Sequence, residues 1–459
     1  MASKIAPPRY SIQHSRFTKQ DGWRLRDLSL SLNGNIAVTG CNENTDQTYL
    51  DVYTNVRHSD SRDKPKIIYS KEFEKYSDEK WIYLDRIVSF IDDDVLVSCI
   101  ADKLEVSQVN KDEVLRSRRV NGYARCLSVR ERREIFIGFL RSNKITVYDV
   151  IDLNEIKSII LQGVQDGDNP FDMAVIADRI FVCVGPPGKE YNQKSQIFEE
   201  KHGTILSELT KPTDTVQWYV NSVGVNMNTL GIAGVVWCDS FYYKEGMHRQ
   251  IVFYFLLSEN NCSFLIVEVE SGVNRIRISD RGDRMITGNQ RTGEVKVYDM
   301  AELFTYTHFK EKLASTLQTD ECTKLANFFK IPKDQTDAIL SSGKPSKHLL
   351  LVLEARSILQ PNNVGRLIQA FDDLRTNPFC RQVADIFQKT RSPSYYKEVT
   401  ENLEEEMKTL QMASKEEGKE LKSPWTLHKA PDGRVYYHNS VTKELRWKNP
   451  ETGQRAEEN

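Results

Sequence analysis

The chain has 459 residues, of which 39% are hydrophobic and 28% charged, and the charges nearly cancel to a formal net charge of -2. That balance argues against nucleic acid as a bulk electrostatic partner. Apolar runs such as Ile251 to Leu257 are too short to span a bilayer, so no membrane insertion is expected. The length suggests about three domains. The eight cysteines run from Cys41 to Cys380 without a C-x-x-C pair, which reads as reduced thiols of a cytosolic protein. The opening MASKIAPPRY has no apolar core of a secretory signal. The expected location is therefore cytoplasmic, with the nucleus as the alternative.

Residues 10–304 alternate between strand and turn. Leu28 to Tyr53, Ile87 to Val109, Leu127 to Val150 and Ile276 to Met300 share one plan: a strand, a polar turn, an apolar strand, a second turn and a third strand. Looser copies begin near Met173 and Val220. A small antiparallel unit cannot cover both its faces alone, and radial stacking of such units solves this. The pattern resembles a β-propeller of the WD-repeat kind, with six or seven blades, although the Trp-Asp dipeptide signature is missing. A pair of β-sandwiches is the alternative. Ring closure in such propellers commonly takes an N-terminal strand into the last blade, and the alternating Tyr10 to Phe17 suits that role.

Residues 308–391 change to helical spacing: Phe309, Leu313 and Leu317, then Leu325, Phe328 and Phe329, then Leu349, Leu350 and Leu353. Thr319-Asp320, Pro332, Ser341-Gly343-Pro345, Pro361-Asn362 and Asn377-Pro378 punctuate the run, which predicts six short helices. The segment resembles a death effector domain through Leu350, Leu353, Glu354, Leu359, Pro361, Asn363, Leu367 and Leu374. That resemblance implies a six-helix death-fold bundle that assembles with like domains in apoptotic or innate-immune signalling. The family's Arg-x-Asp-Leu charge motif falls on Thr376, Asn377, Pro378 and Phe379, where its arginine and aspartate are absent. Residues 392–422 then read as a charged helical linker, with Glu398, Glu401, Glu404, Glu405 and Glu406 beside a thin stripe of Val399, Leu403, Met407 and Leu410.

Residues 423–451 contain PWTLHKAPDGRVYYHNSVTKELRWKNP. Asp432-Gly433 predicts a hairpin turn, Val435 to His438 a central strand, Ser440 to Lys443 a second turn and Leu445 to Trp447 a third strand. About 30 residues cannot bury an ordinary core, so such a sheet depends on a small apolar clasp. The two tryptophans, the Tyr-Tyr pair, Asn439 and Pro450 resemble the WW domain, a three-stranded β module that binds proline-rich segments of other proteins. The resemblance implies a clasp of Trp425, Tyr437 and Pro450 on one face. On the other, Tyr436 and Trp447 would form the groove, with His438, Ser440, Lys443 and Leu445 around it. Parallel aromatic walls suit a polyproline II ligand because it is already stiff. Ser440 stands where members that bind Pro-Pro-x-Tyr usually carry histidine, and Leu445 where Ser or Thr is usual. Ala6-Pro7-Pro8-Arg9-Tyr10 is a candidate ligand within the chain itself; the alternative is that it leads into the first propeller strand.

No catalytic constellation emerges. Gly343-Lys344-Pro345 and Gly185-Pro-Pro-Gly188-Lys189 lack the spacing of a phosphate loop. The eight histidines form no H-E-x-x-H metal site, so no metal or cofactor is expected. Asp92, Asp93 and Asp94 read as a turn, and Arg281-Gly282-Asp283 as a blade turn rather than an adhesion signal. The reading is a non-enzymatic signalling adaptor. Its expected partners are proline-rich segments, death-fold proteins and further copies of itself. A nuclear RNA-processing or transcription scaffold and a propeller-type hydrolase are the alternatives. A hydrolase would need acidic or histidine side chains converging in the propeller pore.

Overall fold

The computed structural model describes residues 3–4, 10–13, 23–42, 44, 47–54, 66–73, 86–100, 102–165, 167–185, 194–209, 218–226, 230–239, 249–256, 263–391, 425–429, 435–439 and 445–446. Two N-terminal strands, β1 (Ser3–Lys4) and β2 (Tyr10–Gln13), precede six antiparallel units. Blade 1 is β3 (Trp23–Leu30), β4 (Ile36–Asn42), β5 (Thr48–Tyr53) and β6 (Ile67–Phe73). Blade 2 is β7 (Arg86–Phe90), β8 (Val95–Ile100), β9 (Lys103–Gln108) and β10 (Glu113–Arg119). Blade 3 is β11 (Ala124–Arg130), β12 (Glu134–Phe139), β13 (Lys144–Asp149) and β14 (Glu155–Ile160). Blade 4 is β15 (Asn169–Ile176), β16 (Arg179–Gly185), β17 (Lys194–Glu199) and β18 (Ile205–Leu209). Blade 5 is β19 (Trp218–Asn226), β20 (Ile232–Asp239), β21 (Arg249–Phe255) and β22 (Ser263–Val269), with β1 added in parallel to β22. Blade 6 is β23 (Val273–Ile278), β24 (Arg284–Asn289) and β25 (Glu294–Asp299), and β2 completes it antiparallel to β25.

The ring therefore has six blades, one for each repeat unit read from the sequence, and the sandwich alternative falls. Tyr10–Gln13 serves as the closing strand, pairing Tyr10 with Val297 and Ile12 with Val295. Second and third strands carry the apolar cores between blades: Ile36 and Val38, Leu96 and Val97, Phe136 and Ile137, Ile180 to Val182 and Val235 are all buried. The outer strands β6, β10 and β14 are mostly exposed, and β10 has no buried residue.

Each innermost strand faces the next across the ring without sheet pairing, so its inward backbone N–H groups need other acceptors. Side chains supply them. Asp27 Oδ2 accepts from Val88 N at 3.0 Å, Ser29 Oγ from Phe90 N at 2.9 Å and Ser128 Oγ from Val175 N at 3.0 Å. Asp172 Oδ2 accepts from Val223 N and Ser222 Oγ from Ile276 N, both at 3.1 Å. Register shifts recur early in β3, β11, β15, β19 and β23, just before Asp27, Cys126, Asp172, Ser222 and Arg275, and such bulges re-aim the residues beside them. Gly224 lets β19 and β23 approach closely, since a Cβ there would sit a tight 3.2 Å from the Arg277 Cα.

Seven helices follow: α1 (Met300–Leu303), α2 (Tyr306–Thr316), α3 (Thr319–Phe328), α4 (Lys333–Leu340), α5 (Pro345–Ala355), α6 (Gly365–Leu374) and α7 (Pro378–Arg391). The six expected helices correspond to α2–α7, and α1 is an extra turn capped by Asp299, whose Oδ1 accepts from Ala301 N at 3.0 Å. Pro345 opens α5 and Pro378 opens α7, where Asn377 Oδ1 accepts from Phe379 N at 2.9 Å. Glu321 is buried and ties two elements together: its carboxylate accepts from Gln318 N and Asn377 N, each at 2.9 Å. The position of the missing charge motif is thus used as a helix cap. Phe309 stacks on Phe387 with ring centroids 4.4 Å apart, and Phe304 meets Phe387 edge-on at 6.0 Å.

The helices are not a separate bead. Propeller and helices form one compact unit that ends at Arg391. One apolar cluster runs from Phe255, Val267 and Met285 of blades 5 and 6 into Phe304, Leu313, Phe371 and Phe387. Phe255 meets Phe379 edge-on at 4.9 Å, and Lys312 Nζ donates to the Ser263 carbonyl at 3.0 Å. Arg391 Nη2 donates to the carbonyls of Ala301 and Phe304 at 2.7 and 2.8 Å, closing the last helix onto the first. The second unit contains β26 (Trp425–Lys429), β27 (Val435–Asn439) and β28 (Leu445–Arg446) in one antiparallel sheet. The expected linker helix at 392–422 lies outside the described residues.

Candidate peptide-binding site and the propeller channel

In the C-terminal sheet, β26 pairs with β27 from Trp425↔Asn439 to Lys429↔Val435, and β27 pairs with β28 through Tyr437↔Arg446 and His438↔Leu445. Paired residues of an antiparallel ladder share a face, and successive residues alternate. The register therefore puts Trp425, Leu427, Tyr437 and Arg446 on one face and Tyr436, His438, His428 and Leu445 on the other. Trp447, Ser440, Lys443 and Pro450 lie outside the described residues, as do Pro7, Pro8 and Arg9. Tyr10, the last residue of the candidate internal ligand, is the first residue of β2 on blade 6.

The channel of the propeller holds a group of charges that sequence reading missed. Arg277 on β23 reaches across to two blades: Nη2 is 2.8 Å from Asp27 Oδ1 on β3, and Nη1 is 2.9 Å from Asp172 Oδ2 on β15. Arg275 Nε lies 3.6 Å from Asp27 Oδ1, and Ser222 Oγ donates to Asp172 Oδ2. Both carboxylates are buried. Burial pushes the Asp27 carboxyl up to about 6, against the pull of Arg277 and Arg275. At Asp172 burial acts the same way, but Arg277, Arg275 and the Ser222 hydroxyl hold the carboxyl below its usual range. Burial would lower Arg277, yet the two carboxylates raise it further.

Acidic groups thus converge in the pore, as a hydrolase would require, but each is committed to the fold. Asp27 accepts from Leu28 N and Val88 N, and Asp172 from Met173 N and Val223 N. Both oxygens of Asp27 and of Asp172 are taken by these backbone N–H groups and by Arg277. A shallow cavity of about 270 Å³ opens on blade 4, lined in part by Gln165, Asp168, Lys194 and Gln196. Its Asp168 carboxylate is occupied by Gln165 N at 3.1 Å. Asp92 and Asp93 shape a turn: Asp92 Oδ1 accepts from Asp94 N and Val95 N, and Asp93 Oδ1 accepts from Asn33 N. Asp283 of the Arg-Gly-Asp run takes the Ser279 hydroxyl at 2.7 Å within the β23–β24 turn. Among the described residues no cluster of metal-ligating side chains occurs, and no helix is long and apolar enough to cross a membrane.

Comparison with known proteins gives one family. Residues 421–450 match the family model of the WW domain. Three solved structures resemble the chain. The RRP9 WD40 repeats share 9% identity at a TM-score of 0.44, over 64% of this chain and 99% of that one. U3-55K shares 9% at 0.43, over 64% and 100%. A chain of a mitotic checkpoint complex shares 13% at 0.41, over 64% and 93%. No curated protein matches the chain. Fold and family match together describe a modular protein. It joins a six-bladed β-propeller and a helical region to a WW domain, a module that binds proline-rich segments.

Proposed function

We propose that this protein is a non-enzymatic signalling adaptor whose WW domain recruits a proline-rich partner. The observation that carries the reading is the WW match at residues 421–450, together with a three-stranded sheet in the register such a groove needs. In this reading Tyr436 and Trp447 grip a polyproline II segment, while His438, Ser440, Lys443 and Leu445 set its flanking preference. Trp425, Tyr437 and Pro450 hold the sheet together. The helical region acts as a death-fold module that assembles with like domains; its support is the six-helix order of α2–α7. The bundle's contact with blades 5 and 6 fixes that module to the propeller, so it presents its partner at a defined place on the ring. The propeller carries a further partner.

Full chain and a Tyr436→Ala/Trp447→Ala variant are to be titrated with an Ala-Pro-Pro-Arg-Tyr peptide and with Pro-Leu-rich and Pro-Arg-rich peptides. Saturable tryptophan quenching by at least one peptide, weakened at least roughly tenfold in the variant, supports the groove. Equal binding by both proteins sinks it. Response to the Ala-Pro-Pro-Arg-Tyr peptide alone would favour Pro7 to Tyr10 as a native ligand.

A further inference from the structure

The outer strands of blades 1 to 4 share a topology but differ in charge. On β6, Lys71 Nζ is 2.9 Å from Glu105. On β14, Glu155 pairs with Lys144 and Lys157 with Glu200. On β18, Glu208 pairs with Lys194 at 3.3 Å. The outer strand of blade 2 departs from this. β10 carries Arg116, Arg118 and Arg119 within its last four residues. Arg118 Nη1 donates to the Leu153 carbonyl at 2.8 Å and to Asn154 Oδ1 at 2.6 Å, which ties it to blade 3. Arg116 and Arg119 have no hydrogen-bond or ion-pair partner among the described residues.

The backbone of β10 is open as well. It pairs with β9 on one side and with no described strand on the other. None of its seven residues is buried, and the side chains of Val114 and Leu115 stand 41% and 38% exposed at its start. The register of β10 shifts between Val114 and Arg116, so its regular stretch is Arg116–Arg119, and the outward N–H and C=O groups of such an edge can template another strand. The molecule itself shows such an addition, because β22 at the corresponding edge of blade 5 takes Ser3–Lys4 as a fifth strand.

We propose that the outer edge of blade 2 docks an extended acidic segment of a partner protein, which adds to β10 as a fifth strand and pairs its carboxylates with Arg116 and Arg119. Main-chain hydrogen bonds supply the affinity in this mode and alternate side chains the specificity. The guanidinium forks reward carboxylates, and Val114 and Leu115 give an apolar seat to intervening aliphatic residues. The same arginines disfavour pairing with a second copy, whose β10 would bring like charges opposite. Open main-chain groups beside exposed aliphatics favour a peptide over a nucleic acid, which would leave both unused.

The test uses the full chain and a fluorescein-labelled peptide with Glu at every third position among Val residues, which puts successive carboxylates on opposite faces as Arg116 and Arg119 lie, read by anisotropy at near-physiological salt. Comparison ligands are a Lys-Val peptide, a Glu-Val peptide N-methylated at alternate residues and a single-stranded oligonucleotide. The variant is Arg116→Glu/Arg119→Glu, whose fold is checked by its melting curve. Expected is saturable binding of the Glu-Val peptide, weakened at least roughly tenfold by charge reversal and by N-methylation. Absence of binding, indifference to the variant, equal binding of the N-methylated peptide or stronger binding of the oligonucleotide would overturn the proposal. The peptide contains no proline, so its failure leaves the WW reading intact.

Discussion

The propeller and the helical bundle belong to one compact unit, yet they close by opposite means. The ring closes around charge: Arg277 spans from blade 6 to Asp27 and Asp172, and both aspartates also accept backbone N–H groups. The bundle closes on rings, with Phe309, Phe387 and Phe304 packed together and Glu321 as its one buried carboxylate. The cause lies in the backbone. A helix satisfies most of its own N–H and C=O groups, so its neighbours need only apolar filler. The inner edge of a blade cannot do this, and buried N–H groups left without acceptors would each cost about 1–3 kcal/mol. Asp27, Ser29, Ser128, Asp172 and Ser222 are the acceptors, and the arginines balance the charge that two of them bring.

The contrast breaks most visibly at Arg277. Arg277→Ala leaves two buried carboxylates without their shared partner and is expected to cost about 3–5 kcal/mol of unfolding free energy. Chemical denaturation checks this, and a loss below about 1 kcal/mol would place the ring's stability elsewhere. A smaller effect concerns pH. Asp27 has its carboxyl raised to about 6 in the folded state from an ordinary value of 3.8, so the folded protein holds the extra proton between those values. Its contribution to stability is therefore present at low pH and is lost as pH rises through about 6, at up to about 1.4 kcal/mol per pH unit. Asp27→Asn should remove that slope, so that unfolding curves of variant and parent run parallel only outside pH 4–6. Parallel curves throughout would show that Asp27 stays ionised. The smallest effect is at the junction of the two regions. Phe379→Leu keeps most of the buried apolar area but removes the edge-on ring contact with Phe255, and is expected to cost about 0.5–1.5 kcal/mol. Hydrogen exchange should then rise in α7 and β21 together while β12 is unchanged; a rise confined to α7 would mean that the bundle does not lean on blade 5.

The repeat was readable because second and third strands bury nearly every residue, as in Glu134–Phe139, where all but the first are buried. The fourth strands were not, since β10 and β14 have almost no buried positions and look like loop. Helix ends were legible from Asn377-Pro378 and Ser341-Gly343-Pro345, whose chemistry acts locally. Arg277 could not be linked to Asp27 by any local signal, for the pair meets only once the ring is complete. Nor could the shared apolar cluster of bundle and blades be foreseen, because Phe255 and Phe379 would look the same in two separate cores. In the WW segment the central strand was legible from Val435-Tyr-Tyr-His, and the structure carries it one residue further to Asn439, while the expected turn at Asp432-Gly433 lies outside the described residues.

The two N-terminal strands have a consequence in time. Tyr10–Gln13 is synthesised well before β25, and at about 5–20 residues per second its partner appears on the order of tens of seconds later. For that interval Tyr10–Gln13 waits for β25, and Ser3–Lys4 waits for β22. The nascent chain thus carries two N-terminal strands without their partners until translation passes β25. This makes the ribosome-bound chain, rather than the finished protein, the form most exposed to mispairing and to chaperone capture.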